Sequence, residues 1–552
     1  MVWRLPRPGP PAKYLTSTAQ DGTVNYTYDA LDRLATKVTP EGTLSYTYFP
    51  TGKVETIASS NPHGVNESLT YDPQNRLATV VDGNLSGQNT TTYSYDDASN
   101  VATVKIPNGL TSTFTYDALN RLTELSTPPV ADYKYTLGAT GIRTNATEQS
   151  GRAIQWSYDN IYRLNGETIT GDPANNNGDN GSASYTLDPV GNRTAETSSL
   201  SGIDPIAGSY NPNDQLSAES YDANGNTTQT ANGNQYTYDS ENHLIKMVNG
   251  STVVNLIYDA FGNRVAKTVN SVTTQYLVDD LNPTGYAQVV EELTGPIGSG
   301  VVTRQYTYGL QRISENLSPV VTGNSIWTAS FYGYDRAEGS VRFLSNAAGT
   351  VTDTYEYDAF GNQIYRSGTT PNAYMYRDEF FDSDLGLYYL RARYYNPSTG
   401  RFLSRDPLDG DPTDPQSLHK YLYAGGDPVN RIDPSGRADS IETIFTITVI
   451  ATPTEVALSA LAGQATAAIA LLQMAAGQAY LTAQYAFELI AAAGEATGIS
   501  KLLVCGAVGL AVARVEAENK ITDPEKTAIA LLFSYTCSRL VPLPGPPPIK
   551  WF

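Results

Sequence analysis

The feature that most constrains this chain is a recurring Tyr-x-Tyr-Asp unit followed by a turn. Tyr26-Thr27-Tyr28-Asp29-Ala30-Leu31-Asp32-Arg33-Leu34 is the first clear copy. Leu69-Thr70-Tyr71-Asp72-Pro73-Gln74-Asn75-Arg76-Leu77 and Phe114-Thr115-Tyr116-Asp117-Ala118-Leu119-Asn120-Arg121-Leu122 follow the same pattern. Further copies stand at Trp156-Ser157-Tyr158-Asp159, Tyr236-Thr237-Tyr238-Asp239, Ile257-Tyr258-Asp259-Ala260-Phe261-Gly262-Asn263-Arg264 and Tyr355-Glu356-Tyr357-Asp358-Ala359-Phe360-Gly361-Asn362. Weaker ones fill the gaps at Tyr46-Thr47-Tyr48, Tyr93-Ser94-Tyr95-Asp96, Tyr133-Lys134-Tyr135 and Tyr332-Gly333-Tyr334-Asp335. A period of about twenty residues marks a repeat architecture, in which each unit buries its apolar face only against its neighbours.

Each unit has a physical logic. Side chains alternate along a strand, so Tyr-x-Tyr sets two rings on one face. The Asp that follows can bond nearby backbone N–H groups, and Gly or Asn accepts positive φ, so a turn is expected there. Arg-Leu or Arg-Val then opens the return strand. One unit is thus a hairpin, and the hairpins must stack into a continuous sheet. Asp and Arg of adjacent units are expected to pair along the turn row, at about 0–1 kcal/mol for each exposed pair. Tyrosine rows can bind sugars, but a Tyr at every strand reads as structural, with the ring packed and the hydroxyl in water.

Composition agrees with a mainly β fold. Tyr reaches 39 residues, with 46 Gly and 32 Pro, the strand formers and turn formers such a chain needs. At 552 residues the chain exceeds the ~250–300 at which single cores stop growing, so more than one unit is expected. The net charge of −20 argues against a nucleic-acid surface, which needs a basic stripe, and reads as solubility. The two cysteines, Cys505 and Cys537, exclude a disulfide framework before them. The opening residues carry positive charge without an apolar stretch, so no secretory signal is read. Export by a specialised route, or origin as part of a longer chain, is the expectation.

The Tyr-Asp-x-x-Gly/Asn-Arg-Leu units resemble the YD (RHS) repeats of bacterial RHS toxins, Tc toxin C components and teneurins. The resemblance covers roughly residues 14–436 and implies stacked β-hairpins spiralling into a shell or part of one. A longer ordered pattern lies at 376–436. It runs through Leu387-Tyr388-Tyr389-Leu390-Arg391-Ala392-Arg393-Tyr394-Tyr395-Asn396-Pro397 and Gly400-Arg401-Phe402-Leu403-Ser404-Arg405-Asp406-Pro407 to Ile432-Asp433-Pro434-Ser435-Gly436. It is similar to the RHS repeat-associated core, which implies closure of one shell end and an aspartate-type self-cleavage centre. Position in the motif puts that centre on Arg393, Asp406 and Asp433. Two carboxylates sharing a proton can serve as acid and base on water, with an arginine holding one ionised. The bland reading stands beside it: Asp-Pro is an ordinary turn sequence, and Arg393 can simply pair with an acid in a packed plug. After Gly436 the chain reads Arg437-Ala438-Asp439-Ser440, without the apolar residue the resemblance implies.

These readings divide the chain into a Pro-rich start (1–13), a repeat shell (14–375), the core segment (376–436) and an Ala-rich tail (437–552). Ala and Leu favour helix, so a small α-helical tail is expected. Residues 456–487 carry no charge, long enough to cross a bilayer. Gln and Thr interruptions favour soluble or marginally membrane-active helices, and membrane contact stays open. The tail has no histidine, and no Cys-x-x-Cys, phosphate loop or Gly-x-Ser-x-Gly, so no activity, cofactor or metal is assigned to it. The resemblance implies a shell enclosing or displaying a variable effector, delivered outside the cell against bacteria or a host. An immunity protein and a secretion or delivery partner go with that reading. The alternative is a non-toxic secreted or cell-surface scaffold that mediates binding.

Overall fold

The computed structural model describes residues 16–20, 22–172, 180–410, 415–437 and 440–441. Contacts group residues 1–48 and 54–447 into one unit, and 49–53 with 448–552 into a second. Of the second, only the turn 49–53 is described, closed by the Phe49 N–H on the Lys53 carbonyl at 2.9 Å. The helices expected in the tail lie outside the described residues.

The first unit is antiparallel β. Among the described residues, eighteen strands from Thr16–Ala19 to Ile206–Ala207 form one sheet. Fourteen more, from Ser220–Tyr221 to Gln363–Ser367, form another. Each strand pairs with its neighbours in sequence, as stacked hairpins require. A smaller sheet of four strands runs from Phe380–Asp382 to Arg401–Phe402.

The turns explain the repeat. Asp29 Oδ1 accepts the N–H groups of Leu31 and Arg33 at 2.8 and 3.0 Å, while Oδ2 accepts Arg33 Nε at 2.7 Å. Asp72, Asp117 and Asp159 repeat this arrangement with Arg76, Arg121 and Arg163. Where Asn replaces Arg, as in Asp222–Asn226 and Asp358–Asn362, the amide takes the guanidinium's place. The fourth turn residue has positive φ, 65° at Asp32, 60° at Asn75 and 82° at Gly262, so Gly, Asn and Asp recur there. A register shift lies on the strand pair beside each of these turns: Thr27 faces Thr36 while Tyr28 faces Leu34, so Ala35 is an extra residue, a β-bulge on the return strand.

Two expectations change. The Asp–Arg pair forms inside one unit, four residues apart, because the tight turn brings position four back onto the aspartate. And the second tyrosine hydroxyl is not left to water. Tyr48 donates to the Leu34 carbonyl at 2.6 Å, Tyr95 to Leu77 at 2.7 Å and Tyr158 to Arg143 at 2.6 Å. Where this bond forms, it latches a hairpin to the one before it.

The two large sheets and the following segment share one apolar cluster. It includes Leu44, Ile57 and Tyr93 from the first sheet, Tyr276, Tyr306 and Phe331 from the second, and Tyr376, Tyr388, Tyr395 and Tyr423 from residues 376–436. That segment also rests on the turns. Tyr395 Oη donates to Phe360 O at 2.7 Å, Tyr388 Oη to Gly361 O at 3.0 Å and Tyr421 Oη to Gly225 O at 2.8 Å. Arg401 Nη1 donates to Asn192 Oδ1 at 2.7 Å. Turns of both sheets therefore carry the segment.

Candidate functional site

The structure brings Arg393, Asp406 and Asp433 together. Arg393 opens the strand Arg393–Asn396, directly opposite Leu390 in a tight hairpin. Its guanidinium is buried and lies over the Phe402 ring, 3.6 Å from the centroid. One nitrogen, Nη2, stands 2.8 Å from Asp406 Oδ2 and 3.1 Å from Asp433 Oδ2. A single donor thus bridges two carboxylates from segments well apart in sequence.

Each acid is fixed from its other side. Asp406 donates its N–H to the Lys420 carbonyl at 2.8 Å and accepts Leu408 N–H on Oδ1 at 2.8 Å. The latter is the turn bond that Asp-Pro sequences favour. Burial raises the Asp406 pKa, and Arg393 opposes that rise. Asp433 is fully buried, and its Oδ1 accepts Ser435 Oγ at 3.2 Å and Arg437 N–H at 3.0 Å.

The chain beyond Asp433 lies against the same arginine. Arg393 Nε donates to the Gly436 carbonyl. Gly436 has φ +66°, and a Cβ there would press on the Leu390 carbonyl and the Arg393 nitrogen. Glycine is needed for both reasons. Farther on, Ser440–Ile441 pairs antiparallel with Arg431–Ile432, so these first tail residues are extended and double back beside the segment bearing Asp433.

Motif position pointed to three residues; it passed over Gly436, Arg391 and Glu379. Gly436 carried a signal in the Asp-Pro-Ser-Gly string. Glu379 did not, because its partner Arg391 is twelve residues away and only the fold joins them. Among the described residues, no group of three or more His, Cys, Asp or Glu side chains is placed to hold a metal ion. No helix among them is long and apolar enough to cross a membrane.

Comparison with known proteins follows the same lines. The tRNA3(Ser)-specific nuclease WapA of Bacillus spizizenii is 30% identical over 403 residues, which is 70% of this chain and 16% of that protein. Double-stranded DNA deaminase toxin A of Burkholderia cenocepacia is 27% identical over 252 residues, 40% of this chain and 17% of its own. The chain thus spans about a sixth of the length of these relatives. Among solved structures, the TcdB2-TccC3-Cdc42 crystal structure superposes with a TM-score of 0.63 at 17% identity, covering 77% of this chain and 24% of that one. That likeness concerns the fold. The profile of the RHS repeat matches residues 95–128, and that of the teneurin YD-shell matches residues 140–429. With its stacked Tyr-Asp hairpins and its matching profile, the chain belongs to the YD-shell family of RHS-repeat proteins.

Proposed function

We propose that this protein is a shell that carries a C-terminal effector, residues 437–552, and cuts the chain beyond Gly436 with Asp406 and Asp433. The observation that carries this reading is the bridging Arg393, which holds both carboxylates and the Gly436 carbonyl. In the cut, one carboxylate takes a proton from water as the water oxygen bonds to the carbonyl carbon. The tetrahedral adduct then breaks its C–N bond, and the other carboxylic acid gives its proton to the leaving amine. Asp406 suits the acid, since burial favours its protonated form. Asp433 suits the base, since the donors around it meet it as an acceptor. The extended backbone at Ser440–Ile441 is the conformation in which a chain can be presented for hydrolysis.

The effector reading is supported by the relatives. A tRNA nuclease and a DNA deaminase toxin share this kind of region while their activities differ, as expected of one carrier with exchangeable cargo. Toxicity against other cells then requires a delivery partner, and protection of the producer requires an immunity protein. The boundaries 14–375, 376–436 and 437–552 are the division that this function needs.

The test has two arms. Full-length protein and its Asp406→Asn variant are expressed side by side; the wild type should resolve into two fragments and the variant stay whole. Two intact bands would end the self-cleavage reading. Residues 437–552 are then expressed alone in a bacterial cell, where growth arrest is expected. Normal growth at verified expression leaves the non-toxic scaffold as the better account.

A further inference from the structure

Arg391 sits where a side chain is costly. Leu390 pairs with Arg393, so Arg391 and Ala392 are the two loop residues of a hairpin. Arg391 has φ 56°, a left-handed conformation that such loops assign to Gly, Asn or Asp and that costs other residues about 1–3 kcal/mol. A local rule broken in this way points to a gain elsewhere.

The gain is visible in the donors of residues 391–393. Arg391 Nη1 donates to the Pro434 carbonyl, the Ala392 N–H to the Ser435 carbonyl at 3.2 Å, and Arg393 Nε to the Gly436 carbonyl. Three consecutive carbonyls are met by three consecutive residues. Gly436 closes the fit, because a Cβ there would push the segment off the hairpin. Arg391 is itself held. Its Nε donates to the Ala287 carbonyl at 3.1 Å, and its Nη1 meets both oxygens of Glu379 at 3.0 and 3.1 Å. The guanidinium fork can satisfy these partners at once; a point charge cannot.

We propose that Arg391, oriented by Glu379, is a positioning residue that clamps the chain just after Asp433 and so fixes which peptide bond reaches the two aspartates. The clamp rests on the self-cleavage reading above. It acts through the backbone of 434–436 and takes no part in proton transfer. Asp406 and Asp433 carry the proton transfers of the cut; Arg391 sets its place and its speed.

The informative variant combines Arg391→Asn with Glu379→Gln in the full chain. Asn suits positive φ, and Gln avoids a lone buried charge, so the hairpin is kept while the clamp is lost. Cut rate, the new N-terminus and the melting temperature are measured together. The expected result is a melt close to wild type, a cut at least tenfold slower, and new N-termini at more than one bond. Arg391→Lys should recover part of the rate. If the double variant and Arg391→Lys both cut at the wild-type rate at one bond, the clamp is wrong and the self-cleavage reading stands. A loss of cutting that tracks loss of the melt in both variants assigns Arg391 a merely structural role and also overturns the clamp. If the wild type is never cut, both proposals fall.

Discussion

Glu167 of the first sheet accepts the backbone N–H of Ala359 of the second at 2.8 Å. A carboxyl group fully buried between two sheets is raised in pKa, first by burial and then by Asp358 beside it. Other groups of this unit behave alike. Burial pushes Glu315 and Glu379 up to about 7, and Asp279 and Asp378 up to about 6. The folded protein therefore holds protons that the unfolded chain loses near pH 4. Their contribution to stability is full below that value and is lost as pH rises through about 6 to 7. Asp29 and Asp117 run the other way, lowered first by Arg33 and Arg121, and their contribution fades in strong acid. Thermal melts should therefore peak in mildly acidic buffer and fall between pH 5 and pH 8. A melt that rises over that interval would contradict this account.

The turn aspartate should matter more than its arginine. Asp72 satisfies two backbone N–H groups in a partly buried turn, and removing it strands them at about 1–2 kcal/mol. Arg76 adds an ion pair and a contact over the Tyr95 ring at 4.3 Å, together about 1 kcal/mol. Urea midpoints of Asp72→Ala and Arg76→Ala should rank in that order. The reverse order would mean that the pair, not the turn, holds the unit.

Residues 376–436 should detach when Arg264 is removed. Arg264 Nη1 meets the buried Asp382 at 2.9 Å and the Tyr394 hydroxyl at 3.1 Å. Lys267 holds the other Asp382 oxygen at 2.9 Å. Arg264→Ala leaves that buried carboxylate half-compensated, at about 3 kcal/mol. The expected readout is faster amide exchange across Phe380–Asp382 and Leu387–Leu390, with the first sheet unaffected.

Cutting should slow as the medium becomes alkaline. Burial raises the Asp406 pKa, so in the proposed cut its proton is lost as pH rises through that folded-state value. A cut-rate series taken upward in pH should fall across the Asp406 titration. A rate that climbs over the whole range would reverse the acid and base assignments.

Much of this fold could be read from the sequence because its determinants are local. Asp29, the positive-φ residue Asp32 and Arg33 all lie within one turn, so a nine-residue string carries the whole hairpin. The string showed the Asp–Arg pairing but misplaced it between units, because only the backbone bonds that close the turn, Asp29 N–H on Arg33 O and Asp32 N–H on Asp29 O, show how tightly Arg33 is brought back. Arg393, Asp406 and Asp433 were legible as motif positions. The clamp was not, since Arg391–Glu379 and Arg391–Pro434 join residues that no periodicity relates.

The sequence by itself determined the hairpin, its repetition and the family, because strand alternation and turn chemistry act over a few residues. Only the tertiary structure decided what those hairpins build. It placed Glu167 against Ala359, latched Tyr48 to Leu34, and converged two aspartates on one guanidinium nitrogen. Such contacts depend on how sheets stack and where the segment 376–436 comes to rest, and burial there sets the charge states that local sequence cannot encode.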